Sequence, residues 1–116
     1  MRNKTVTKKE IEDIISRMRL CAENAEATSD GVRIMPKGDE FIAEFNILAT
    51  YVENSQGKFD TSLIPSNIRR NVLRMSNGKL GELSRLSHSL KKEYDEKKCN
   101  EMEKIMEDII QQITQI

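Results

Sequence analysis

One histidine and two cysteines are the residues with which this chain could attempt nucleophilic or metal chemistry. Cys21 and Cys99 fit neither a zinc-ligand spacing nor a disulfide framework, so they read as buried or idle thiols in a reducing cytoplasm. His88 falls on a helix face predicted to meet solvent, and no cysteine or carboxylate is locally placed to activate it. There is no nucleophile elbow, no phosphate-cradling glycine loop and no zinc motif. The many Glu and Asp residues read as solvated helix faces. The expectation is a protein that is not an enzyme, with no cofactor and no bound metal.

Binding chemistry is better supplied. The stretch "SNIRRNVLRMSNGKLGELSRLSHSLKK", residues 66–92, carries a net positive charge. Residues 61–92 hold seven basic groups and one acidic group, Glu82. Residues 1–60 hold nine basic and eleven acidic groups, and residues 93–116 three and seven. A chain of zero net charge therefore has a basic middle and an acidic tail. Two partners fit such a middle. One is an acidic protein surface. The other is a nucleic acid, because helix, "SNG" and helix resemble a helix-turn-helix in outline. In that arrangement Arg69, Arg70, Arg74 and Lys79 would hold phosphates. Ser84, Arg85, His88 and Lys92, which recur at helical spacing, would face base edges. With no Trp and only five aromatic residues, stacking platforms for single strands are poorly supplied.

Within this stretch "LGELSR", Leu80 to Arg85, is similar to the L-N-Q-I-A-R core of plasmid mobilisation accessory proteins of the MobC type, which also place an amphipathic helix afterwards. The match covers six positions and departs at Gly81, Glu82, Leu83 and Ser84. The N-terminal half shows no strand of the ribbon-helix-helix kind, so no function is carried over.

Positioning these residues falls to a series of amphipathic helices. Thr7 with Glu10 forms a capping box, and Val6 and Ile11 are placed as its hydrophobic staple. Ile11, Ile14, Ile15, Met18, Ala22 and Ala25 continue one stripe, which predicts a first helix ending near Ala27. Residues 28–38 read as a loop with a short extended piece at "VRIM". A second helix is predicted from about Asp39 to Ser55, with Phe41, Ile42, Phe45, Leu48, Ala49 and Val52 on one face and Gly57 suited to its end. Ser66 is the expected N-cap of a third helix lined by Ile68, Val72 and Met75, which "SNG" would stop in a left-handed turn. A fourth carries Leu80, Leu83, Leu86 and Leu90, with Tyr94 continuing the stripe.

The tail "NEMEKIMEDIIQQITQI" places Met102, Met106, Ile109, Ile113 and Ile116 at a 4-3-4-3 repeat, with Asn100 as its cap. Met102, Met106, Ile109 and Ile113 could form an apolar seam to a second copy or fill the chain's own core. The tail stripe is rotated by about 110° from that of the fourth helix at ~100° per residue, which favours a turn near "DEKKCN" over one long helix.

The fold expected is a single all-α domain, residues 1–116, built as a small irregular bundle of four or five amphipathic helices. No apolar run reaches the ~18 residues of a membrane span, and no apolar stretch follows the basic N-terminus as a secretory signal would require. The function expected is that of a small cytoplasmic binding or regulatory protein of the inhibitor, immunity, chaperone or accessory-subunit type. Its expected partner is another protein with an acidic surface, with homodimerisation possible. DNA binding through residues 66–92 is the alternative.

Overall fold

In the computed structural model, residues 4–23, 25–26, 33–75 and 78–115 are described. Five helices are present among them: α1 (Lys8–Cys21), α2 (Gly38–Glu53), α3 (Ser66–Arg74), α4 (Gly78–Lys92) and α5 (Glu96–Thr114). Four two-residue strands pair off beside them: β1 (Lys4–Thr5) parallel with β4 (Phe59–Asp60), and β2 (Ala25–Glu26) antiparallel with β3 (Arg33–Ile34). The protein is an all-α bundle. α2 and α5 form its centre, each packing on α1, α3 and α4 and on each other.

The stripes read from periodicity line one core. Val6, Ile11, Ile14 and Met18 of the first segment meet Phe41, Phe45 and Leu48 of α2, with Leu83 and the α5 stripe completing the interior. The capping box forms at its Thr7 end, where Oγ1 accepts the Glu10 N–H at 3.1 Å. Val6 and Ile11 are both fully buried, as a staple requires.

Several boundaries depart from expectation. α1 stops at Cys21, about six residues early, because the following chain pairs Ala25–Glu26 with Arg33–Ile34. The Cys21 carbonyl then accepts the Lys37 N–H at 2.8 Å. Ala25 thus lies in a strand, and the extended piece expected at "VRIM" is present as β3. Asn54, not Gly57, ends α2, at φ 43°. Asparagine tolerates this left-handed conformation, and here its side chain supplies compensation. Asn54 Nδ2 donates to the Phe59 carbonyl at 2.8 Å, and the Phe59 N–H donates to Asn54 Oδ1 at 3.0 Å. Gly57 sits in the ensuing turn at φ 64°.

Pro65 occupies the cap position of α3, and Ser66 is already its first helical residue. α3 ends at Arg74 with Met75 extended at φ −68°, ψ 133°, ahead of the "SNG" expected to stop it; Ser76 and Asn77 lie outside the described residues, and Gly78 opens α4. The break before the tail falls at residues 93–95, so residues 79–116 do not form one helix. Its cap is Asp95, whose carboxylate accepts the Lys97 and Lys98 N–H groups, and not Asn100. Tyr94 sits in that break and is half exposed, leaving the apolar stripe.

Gly38 shows how tightly α2 and α5 close on α4. A Cβ there would come within 2.8 Å of Met102 Cε and 2.9 Å of Ser87 Cβ. The methionine end can yield, but Ser87 Cβ is tied to the α4 backbone. Gly38→Ala is therefore expected to destabilise by about 1–3 kcal/mol, read as a lower urea midpoint at unchanged slope. A midpoint equal to wild type would mean that α2 and α4 separate more easily than this packing implies.

Candidate functional site

α3 is a nine-residue helix with two differently occupied sides. Ile68 and Val72 point inward. Asn67 and Asn71 both donate to the Gln115 carbonyl, at 3.4 and 2.7 Å, tying α3 to the C-terminal end of α5 and satisfying one of that end's carbonyls. The remaining side carries Arg70, Leu73 and Arg74, all exposed, with Leu73 55% exposed. These residues with Ser66 and Arg69 line a depression of about 410 Å³. The outward side of α3 therefore presents an exposed apolar residue together with two exposed arginines.

The basic residues singled out from sequence are dispersed by the fold into different situations. Arg70 and Arg74 make no ion pair among the described residues, and neither do Arg85 and Lys92 on α4. Arg69 is half-buried, and its guanidinium lies 3.5 Å from Thr61 Oγ1. Lys79 lies 4.0 Å from Asp108 of α5. Lys91 is bonded to Asp39 at the start of α2, and its ammonium, with smaller help from Ser87 and His88, holds the Asp39 carboxyl below the usual carboxylate range. His88 and Ser84 are exposed on α4.

A helix-turn-helix needs two helices that pack on each other. α3 packs on α2 and α5 and α4 on the same two helices, each more extensively than α3 and α4 pack on each other. Met102, Met106, Ile109 and Ile113 are at most 1% exposed, inside the core of their own chain. An apolar seam to a second copy would have to take them out of it.

Two features escaped sequence reading. Leu73 lies off the Ile68–Val72 stripe, and its only local signal was an apolar residue flanked by arginines. The other is the largest cavity described, a groove of about 710 Å³ between the end of α1 and α5. Ala22 and Ile110 line it with Glu23, Glu103 and Glu107, and Arg19 contributes one opposing charge. Burial against the groove, with Glu103 and Asp108 nearby, pushes the Glu107 carboxyl above its ordinary value. No sequence signal joins residue 23 to residue 107.

As for catalytic groups, Cys21 is buried, and that burial, reinforced by Glu40 and Glu44, pushes its thiol up, away from the thiolate a nucleophile requires. Among the described residues no group of three or more His, Cys, Asp or Glu side chains could hold a metal ion, and no helix is long and apolar enough to cross a membrane. The fold and surface define an all-α bundle carrying a basic and apolar ridge on one side and an acidic groove elsewhere. No family model, curated protein or solved structure matches this chain.

Proposed function

We propose that this chain is a non-enzymatic binding protein of the cytoplasm that docks an acidic protein surface on the α3 ridge. The observation that carries this reading is the exposed Leu73 on the same side of α3 as two exposed arginines, Arg70 and Arg74, that have no ion-pair partner among the described residues. Arginine is enriched at protein interfaces, and a central apolar anchor ringed by polar groups is how such interfaces exclude water. A guanidinium grips a carboxylate with two parallel hydrogen bonds, so a partner presenting Glu or Asp around an apolar patch would complete both halves. Two unbridged, buried cysteines suit a reducing compartment.

Nucleic acid is the competing reading, supported by the same local charge. An exposed leucine adds nothing to phosphate binding, and α3 and α4 pack more extensively on α2 and α5 than on each other.

The test is a fluorescence titration with two probes at low and high salt: a labelled amphipathic peptide of Glu and Leu, and a labelled duplex DNA. The peptide is expected to bind more tightly than the duplex and to weaken with salt. Arg70→Ala/Arg74→Ala and Leu73→Ala should each weaken peptide binding by at least about tenfold, the equivalent of 1.4 kcal/mol. Tighter binding to the duplex, with a log–log salt slope of about −0.9 per phosphate contact, would transfer the ridge to nucleic acid. No binding to either probe would remove the assignment.

A further inference from the structure

We infer that the groove between α1 and α5 docks the α3 ridge of a second copy of this chain. The inference rests on reading the ridge as a protein-docking surface and names one partner for it. The two surfaces are complementary in charge and in spacing.

Arg70 and Arg74 are four residues apart on α3, and Glu103 and Glu107 are four apart on α5, so each pair spans about 6 Å along its helix. Two guanidinium groups and two carboxylates can therefore meet in register. Glu23 adds a third carboxylate against the single Arg19.

Within one chain this complementarity goes unused. The asparagine bonds to Gln115 hold α3 with Arg70 and Arg74 directed outward. Glu103 and Glu107 form no ion pair among the described residues. Like charges four residues apart on a helix repel, and an incoming pair of arginines relieves that repulsion. Because ridge and groove are different surfaces, each copy offers both. Two copies close into a dimer when a two-fold axis relates the contacts and otherwise extend head to tail. An acidic partner and a second copy would then compete for the same ridge.

Light scattering on a size-exclusion column tests this on the full chain over a concentration series at low and high salt. Self-association is expected at low salt and should diminish as salt is raised. Arg70→Glu/Arg74→Glu and Glu103→Lys/Glu107→Lys should each weaken it by at least about tenfold. Mixed in equal amounts, the two variants should associate again, because each reversed surface meets a reversed mate.

Circular dichroism confirms that the variants are folded; should either reversal unfold the chain, Arg74→Ser and Glu107→Gln give the same reading with smaller loss. The inference is overturned by a wild type that stays monomeric at high concentration and low salt, by association indifferent to salt, or by reversed variants that stay apart when mixed. Monomeric wild type that still binds the acidic peptide sinks only the self-docking. Loss of both sinks the reading of the ridge as well.

Discussion

Truncation after Lys98 is expected to leave a chain that does not fold. It removes Cys99, Met102, Met106, Ile109, Ile110 and Ile113, none more than 4% exposed. Burying five aliphatic or methionine side chains contributes about 10 kcal/mol, an upper figure because unfolded chains are already partly compact. That is the size of the entire ~5–15 kcal/mol by which a domain of this kind is stable. The loss is also geometric. α5 is one of the two central helices, so its removal uncovers the inner faces of α1, α3 and α4 together. Asn67 and Asn71 lose their shared acceptor at Gln115. Circular dichroism should show little helix, and the product should aggregate or elute as an expanded chain. A folded monomeric truncation derived from a dimeric parent would return the α5 stripe to the role of an intermolecular seam.

Ile14→Asp is expected to unfold the domain or nearly so. Ile14 is 2% exposed on the inner face of α1, surrounded by the core cluster. A carboxylate introduced there has no cation to meet, and uncompensated burial of charge belongs to the few mechanisms that exceed about 4 kcal/mol. Desolvation would raise the folded-state pKa of the introduced carboxyl above its unfolded value of about 3.9. The penalty is thus smallest below that value and grows as pH rises. Ile14→Val, which removes one methylene, should cost only about 0.5–1.5 kcal/mol and serves as the control. A thermal melt of Ile14→Asp that overlays wild type at neutral pH would mean that α1 does not pack through this face.

What the sequence determined by itself is everything carried by local chemistry. Thr7 with Glu10 marked the start of α1 because a capping box needs only four consecutive residues. The stripes through Ile11–Met18, Phe41–Val52 and Met102–Ile113 marked three helices and their inward faces because helical periodicity is written along the chain. The phase jump between Leu90 and Met102 placed a break between α4 and α5 because two stripes so far out of phase cannot serve one straight helix. Charge segregation was legible by counting.

The tertiary structure decided whatever depends on residues distant in the chain. α1 ends at Cys21 because its carbonyl meets Lys37 and the next residues find β3. The basic stretch, continuous in sequence, is divided by packing. α3 and α4 both lean on α2 and α5, which pairs Lys79 and Lys91 with carboxylates and leaves Arg70 and Arg74 without an ion pair among the described residues. The groove that joins Glu23 to Glu103 and Glu107 exists only because α1 and α5 lie side by side. Local periodicity says which face of a helix turns inward. Which other helix receives it, and which charges are neutralised there, depends on a packing free energy summed over the whole core.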